Sequence, residues 1–360
     1  MINKSISLNI NTKSYVANRY ESKEGIQTTE DTPQRKPFVL KPSGKDYLWG
    51  GKRLNDEFAK EIDMSPLAET WECSTHPDGA SYAVSGIFQG MTLAKILETY
   101  PNFLGTNPKT KGELPILIKF IDAKEDLSVQ VHPNDEYAAF HENGQHGKTE
   151  MWYVLDASKD AHLIYGLYRN VKKAVLRRSI ASGSLEKYLQ KVKIKKDDVF
   201  YIEAGIIHAI GKGALIAEIQ QNSNLTYRLY DYDRIDKDGK KRELHIDKAL
   251  DCANLKGSAE PMQPMRVLKY RQGCAMELLC RCSYFEVYRM LINTERCRQF
   301  VSYQTDSTSF RVLLCIHGCG TIMMEDGDSI HFFKGDCIFF PADSVPVHLH
   351  GKAQFLDVRA

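Results

Sequence analysis

The sequence predicts a mainly β fold: two jelly-roll barrels with a few short helices inserted. Three observations predict it. Short runs rich in Val, Ile, Tyr and Phe follow one another closely, punctuated by Gly, Asp, Asn or Pro. Helical periodicity is confined to a few stretches. One segment occurs twice with the same rhythm, as "KKDDVFYIEAGIIHAIGKGALIAEI" and "FKGDCIFFPADSVPVHLHGKAQFLDV". Each copy has a turn, an Asp, four strand residues, a turn near Ala, and a further strand after a Lys/Gly turn.

Taken in order, residues 1–36 are polar and lack a sustained period. "SKEGIQTTEDTPQRKP" has linker composition, so this extension is expected to be disordered. The folded body starts near Phe38. "TLAKILETY" (92–100) stripes Leu93, Ile96 and Leu97 behind a Thr92 cap and predicts a helix. "PILIKFIDA", "SVQVHP", "EMWYVLDA" and "HLIYGLY" predict strands. The spacing over 171–192 predicts two short helices broken at "SGS". "DVFYIEAG", "ALIAEIQ" and "LTYRLYDYD" return to strand, and "HIDKALDCA" (245–253) predicts a last helix. After residue 280 the runs "YFEVYRMLI", "RVLLCIHGCGTIMM", "SIHFFKGDCIFFPA" and "AQFLDVRA" are again strand-like. The expected division is 1–36 extension, 37–255 catalytic domain with helical insertions, and 256–360 second barrel. Aligning Asp198 with Asp336 aligns Ala204 with Ala342 and puts Pro346 where the first copy has His208. Two stacked cupin-like barrels result, the first carrying a site and the second structural.

Bulk numbers exclude several classes. With 42% apolar and 26% charged residues over 360 positions, the chain is of ordinary globular composition. The net charge of +2 is matched by the excess in residues 1–37, so nothing points to nucleic acid or an acidic membrane. No apolar run reaches the ~18–20 residues of a membrane span, and no secretory core is present. The cytoplasm is expected. Nine cysteines, eight of them after residue 250, lack zinc-knuckle spacing and read as small buried hydrophobes.

The chemistry starts from "SVQVHPNDEYA" (128–138). Strand alternation puts Ser128, Gln130 and His132 on one face and Val129 and Val131 on the other. If the polar face points inward, Gln130 and His132 join Glu150, which opens "EMWYVL", and His208, which follows the turn "EAGII", as four candidate zinc ligands. Lys148 shares a face with Glu150, and Thr226, Arg228 and Tyr230 share another. Arg and Lys beside a divalent cation suit an anionic, phosphorylated substrate. No P-loop, dinucleotide fingerprint or nucleophile elbow is present. His348 and His350 alternate near the C-terminus but lack a carboxylate partner.

"WGG" (49–51), "AETWECSTHPDGAS" (68–81), "LPILIKFIDAKEDLSVQVHPNDEYA", "GKTEMWYVLDA" and "YIEAGIIHAIGKGALIAEIQQNSNLTYRLYDYDR" occur in one order. Together they resemble type I mannose-6-phosphate isomerase in its short bacterial, cupin-type form, from about Lys36 to the C-terminus. The resemblance implies a cytoplasmic enzyme with one zinc ion per chain on Gln130, His132, Glu150 and His208. It implies mannose 6-phosphate and fructose 6-phosphate as substrates, Arg228 as the catalytic arginine, Ser128 and Lys148 at the substrate, and Lys119 in support. The family's reaction passes through a cis-enediol and needs a base. Lys148 is favoured, phosphate binding being its other role, and Asp231 and Asp233 are further candidates. A non-catalytic sugar-phosphate sensor and a glucose 6-phosphate isomerase are the rival readings. A monomer or homodimer is expected, with a small sugar phosphate as the partner.

Overall fold

The computed structural model describes residues 33–360 apart from 109, 111, 236, 237, 297 and 298. Most of the expected extension, 1–36, lies outside the described residues. Its end is anchored: Arg35 Nη1 donates to Ala342 O at 2.9 Å, and Lys36 Nζ lies 2.5 Å from Asp326 and 2.6 Å from Asp328.

The chain runs through β1 (Phe38–Lys41), β2 (Ser43–Lys45), α1 (Arg53–Phe58), β3 (Glu69–Cys73), β4 (Tyr82–Ala83) and α2 (Leu93–Thr99). Next come β5 (Ile116–Ala123), β6 (Val129–Val131), α3 (Asp135–His141), β7 (Glu150–Ala157), β8 (His162–Leu167), α4 (Lys173–Ala181) and β9 (Leu189–Lys193). Then follow β10 (Val199–Ile202), β11 (His208–Ile210), β12 (Ala214–Gln221), β13 (Tyr227–Tyr230) and α5 (Ile246–Cys252). The remainder is β14 (Lys269–Arg271), β15 (Cys274–Arg281), β16 (Glu286–Asn293), β17 (Val301–Tyr303), β18 (Arg311–Met324), β19 (Ser329–Phe333), β20 (Cys337–Phe340) and β21 (Val347–Arg359).

These strands form three antiparallel sheets. One has six strands in the order β10-β7-β12-β5-β3-β2, and one has five in the order β13-β6-β11-β8-β9. The third, of ten strands, follows β14-β15-β16-β21-β18-β20-β1-β4, with β17 and β19 attached to β21 and β18. The fold is mainly β with few helices, as expected. The hydrogen-bonded sheets stay open, however, and neither half closes into the expected barrel.

Burial explains the arrangement. On one face of the six-stranded sheet, Ile118, Phe120, Tyr153 and Ala217 pack with Phe310, Phe339 and Leu356 of the ten-stranded sheet. On its other face, Ile121, Trp152, Val154 and Ile216 pack with Leu163 and Ile210 of the five-stranded sheet. The six-stranded sheet is therefore the middle layer, which is why "PILIKFIDA" and "ALIAEI" read as nearly continuous apolar runs. Such runs are usual in parallel sheets covered on both faces, and double coverage has the same effect here on antiparallel strands. The outer face of the five-stranded sheet is covered in turn by Leu176 of α4 and Leu250 of α5, packed on Val129, Val131 and Leu229.

Two expected helices appear as read. Thr92 caps α2 by accepting from Lys95 N, and α5 follows His245. The pattern over 171–192 gives only one α-helix, α4; its second half is a 3-10 turn (Leu185–Tyr188) running into β9. Pairing of β9 along β8, with Leu163 opposite Val192 and Leu167 opposite Leu189, overrides the local period. Among the described residues no helix is long and apolar enough to cross a membrane. The eight described cysteines are free, and four of them, Cys73, Cys274, Cys315 and Cys337, are buried.

The internal repeat survives in backbone detail. Asp198 accepts from Lys195 N at 2.9 Å, and Asp336 accepts from Phe333 N at 2.8 Å, three residues back in both copies. The preceding residues, Asp197 and Gly335, both have positive φ, and so do Gly205 and Asp343 in the following turns. The first strand nonetheless joins the opposite half: β1 pairs with β20, and Phe38 stacks on Phe339, which stacks on Phe310.

Phe339→Ala should therefore cost ~3–5 kcal/mol, the range for emptying a buried aromatic site. The urea midpoint should fall markedly while bound-metal content per folded chain stays constant; an unchanged midpoint would show that the stack does not hold the two halves.

Candidate metal centre and pocket

The site lies between the six- and five-stranded sheets. Short β11 pairs with both β6 and β8, setting His208 opposite Gln130 and Tyr165. From the facing sheet, Glu150 starts β7, whose alternation buries Met151 and Tyr153 on the far side and points Glu150 and Trp152 toward the site.

Lys148 reaches the same place because its loop folds back on the chain after β6. Its backbone N–H donates to Pro133 O at 3.0 Å, and Gly147 N–H donates to Asp135 Oδ1 at 2.8 Å. A Cβ on Gly147 would lie 2.5 Å from the Asn134 carbonyl carbon, so only glycine permits the approach.

His132, Glu150 and His208 are buried and bring their ligand atoms within 4.8 Å of one another. The two imidazole Nε2 atoms are 3.1 Å apart, and they lie 3.5 Å and 3.4 Å from the Glu150 oxygens. The opposite ring nitrogens settle the tautomers. His132 Nδ1 is 2.7 Å from Leu225 O and His208 Nδ1 is 2.8 Å from Ile206 O. A carbonyl only accepts, so each Nδ1 carries the proton and each Nε2 presents a lone pair. Neither buried Glu150 oxygen has a hydrogen bond of good geometry, although Lys148 Nζ stands 2.6 Å from Oε2. Two converging lone pairs and an under-satisfied carboxylate are the donor set of a divalent metal. Gln130 lies beside them with its amide nitrogen 3.5 Å from His208 Nε2 and its oxygen 3.4 Å from Ser128 Oγ. A half-turn of the Gln130 amide would present its oxygen to the cluster.

Burial, with Lys148 and His208 alongside, pushes the His132 imidazolium well below its ordinary range; burial likewise lowers His208 to about 4. Both rings are therefore neutral near pH 7. Burial and the neighbouring Glu218 raise Glu150. In Glu218 itself burial is outweighed by Lys148 and Lys119, which hold it below its ordinary value.

Next to the ligands is a pocket of about 120 Å³, lined among others by Ser128, Gln130, Lys119, Lys148, Glu218 and Arg228. Its lining residues Lys119 and Glu218 belong to a cross-strand row on the six-stranded sheet in which Trp71, Lys119, Glu218 and Trp152 are successive neighbours. Lys119 Nζ lies 3.5 Å from Glu69 and 3.6 Å from Glu218, over the Trp71 ring at 4.7 Å. Trp71 Nε1 donates to Glu69 at 2.8 Å and Trp152 Nε1 to Glu218 at 2.9 Å. Every buried charge in the row has an opposite charge and a hydrogen-bond partner, the condition for keeping it there.

Ser128, Gln130, His132, Lys148, Glu150, His208 and Arg228 thus come together as the sequence suggested. Others do not. A register shift between Arg228 and Tyr230 takes Tyr230 off that face and packs it against the α4–α5 side. Asp231 is bound by Arg234 and Arg242, and exposed Asp233 by Lys241, so neither faces the ligands. His348 and His350 stand on β21, with His350 bonded to Thr294 Oγ1 at 2.8 Å. Glu218, Glu69 and Trp71 were not singled out from the sequence. Their signal was a lone acid or indole in a strand otherwise wholly buried.

A mainly β protein with a buried His/Glu/His group that could hold a metal ion, beside a pocket lined by Lys and Arg, has the layout of an enzyme site. Comparison with known proteins narrows the class. A family model described as the catalytic domain of type I phosphomannose isomerase matches residues 38–164. Mannose-6-phosphate isomerase ManA of Bacillus subtilis is 38% identical over 323 residues, covering 88% of this chain and 97% of its own. The mannose-6-phosphate isomerase of Streptococcus mutans is 38% identical over 257 residues, 71% of this chain and 79% of its own. The crystal structure of the Bacillus subtilis mannose 6-phosphate isomerase superposes with a TM-score of 0.82 at 35% identity, over 90% of this chain and 99% of that one. The chain belongs to the mannose-6-phosphate isomerase family.

A pH dependence follows for chelator-treated protein. Unfolded histidine titrates near 6.5 and both buried rings titrate lower, so the unfolded chain takes up protons first as pH falls. Stability from these rings is present above about 6.5 and lost toward about 4. Glu150, raised, acts in the opposite sense, one group against two. The net loss should be on the order of 1 kcal/mol per pH unit, read as a falling melting temperature. A profile flat across that window would contradict two buried neutral imidazoles.

Proposed function

We propose that the protein is a zinc-dependent aldose–ketose isomerase interconverting mannose 6-phosphate and fructose 6-phosphate through a cis-enediol intermediate. The observation that carries this reading is the convergence of His132, Glu150 and His208 behind Gln130 and Lys148, which line a pocket rich in cations. Gln130, His132, Glu150 and His208 would hold one zinc ion. When bound, zinc supplies a Lewis acid that polarises the sugar's oxygens.

The chain's own residues supply the rest. Arg228, whose strand neighbour is Gln130, places a guanidinium where enediolate charge develops. Lys148 is the proton-transfer group: its Nζ stands 3.0 Å from His132 Nε2, and the carboxylates of Glu150, at 2.6 Å, and Glu218, at 3.8 Å, hold it in place to exchange a proton with the sugar. Ser128 orients Gln130 through its hydroxyl. Trp71 and Trp152 brace the charged row beneath the pocket by donating to Glu69 and Glu218.

In this reading residues 37–255 bear the site, and residues 256–360 serve as a metal-free scaffold. The repeated turn geometry supports relating the two halves as cupin-type jelly rolls. The cytoplasm, and a monomer or homodimer, fit the reading as well.

A coupled assay tests it. The zinc-loaded protein should convert fructose 6-phosphate to mannose 6-phosphate, lose turnover on chelation and regain it with zinc. His132→Ala should drop bound metal to near zero. Lys148→Gln should lower kcat by about 10²–10⁴-fold with metal retained. Sugar-phosphate binding without turnover in zinc-loaded protein would make it a sensor, and preference for glucose 6-phosphate would reassign the substrate.

A further inference from the structure

The pocket has two ends of different electrical character. At the inner end each lysine is matched, Lys119 by Glu69 and Glu218, and Lys148 by Glu150 and Glu218. At the outer end the balance fails. Among the described residues Arg228 Nε is buried there without a hydrogen-bond partner, and burial together with the charge of Arg242 works against its guanidinium. Arg242 lines the same pocket. Its Nε donates to Asp231 Oδ2 at 2.8 Å and its Nη2 to Oδ1 at 2.5 Å, a grip that leaves Nη1 over.

Asp231 cannot neutralise this end. The same buried carboxylate also binds Arg234, whose Nη1 is tied away to Asp126 O at 2.5 Å. Arg228 and Arg242 thus line the pocket together, and among the described residues Arg228 forms no ion pair. Glu243 is turned to solvent with its side chain 83% exposed. A phosphate monoester, carrying about −1.5 to −2 at neutral pH, suits two guanidiniums that keep N–H donors to spare. A guanidinium already oriented by a carboxylate loses little freedom on binding it.

We propose that Arg242, oriented by Asp231, seats the phosphate group of the sugar phosphate at the outer end of this pocket and so sets the preference for phosphorylated over free sugar. The proposal rests on the isomerase reading for its substrate, while the anion site itself stands on the unpartnered Arg228 Nε and the spare Nη1 of Arg242 in one pocket. Arg242 is offered as a specificity residue, remote from the carbons that react.

Calorimetric titration of the zinc-loaded protein with inorganic phosphate tests the anion site without turnover. Arg242→Gln should weaken phosphate binding about 10- to 100-fold. Arg242→Lys, which keeps the charge but loses the fork, should weaken it less. Lys241→Gln removes an exposed charge one residue away and should leave it unchanged. With fructose 6-phosphate, Arg242→Gln should raise KM by a similar factor and leave kcat within about threefold. Phosphate binding by Arg242→Gln within about twofold of the natural protein would overturn the proposal, as would an equal loss in Lys241→Gln. Phosphate binding lost in Arg242→Gln, in a protein that turns over no sugar phosphate, would support the anion site while refuting the isomerase reading.

Discussion

Keeping ionised groups inside a sheet covered on both faces is the constraint from which the rest of this structure follows. Lys119 is only 4% exposed and Glu150 fully buried, positions where an unpaired charge costs several kcal/mol. The middle layer meets that cost by arranging its charges as a cross-strand row closed at each end by an indole that donates to a carboxylate. The row fixes Glu218, Glu218 and Glu150 together fix Lys148, and Lys148 stands at the ligand cluster. The ligands are positioned by the same logic from the other sheet, where two backbone carbonyls dictate which nitrogen of each imidazole is free. The site is thus an extension of the sheet's own charge balance.

Much of this was legible in the sequence wherever alternation reports which way a side chain points. Alternation in "SVQVHP" set Gln130 and His132 on the face opposite Val129 and Val131, and Glu150 and His208 stood out at strand openings. The capped helix at Thr92 was equally legible, because its signal is local. What was hidden depends on contacts between distant segments. The second half of 171–192 has helical spacing but lies as an edge strand on β8. Tyr230 leaves its expected face at a register shift that alternation cannot anticipate. Helices α1 and α3 bury only Leu54 with Phe58 and Ala138 respectively, too few apolar positions for a periodic signal. Glu218 was masked by its apolar neighbours, since a sheet covered on both sides shows no clean alternation to violate.

The repeat carries a lesson about divergence within one chain. Turn geometry is kept in both copies down to the sign of φ, whereas the side chains at the ligand position differ completely. With one residue more in the second copy between the turn and the last strand, Ala214 aligns with Ala353 and Glu218 with Asp357; Asp357 is also buried and held by a cation, with Arg311 Nη1 3.1 Å and 3.0 Å from its two oxygens. A buried, paired carboxylate at this point of the strand thus has a structural use in both copies.

The double covering of the central layer reaches beyond the active centre. A fragment stopped after α5 would retain every ligand, both lysines and the arginines, yet would leave Ile118, Phe120, Tyr153 and Ala217 facing water. Such a fragment would clump with its own kind before it could turn over a sugar. The C-terminal half thus insulates the catalytic half from self-association, and changes along its inner surface would be felt first as poor yield of soluble protein, with the chemistry of each surviving molecule intact.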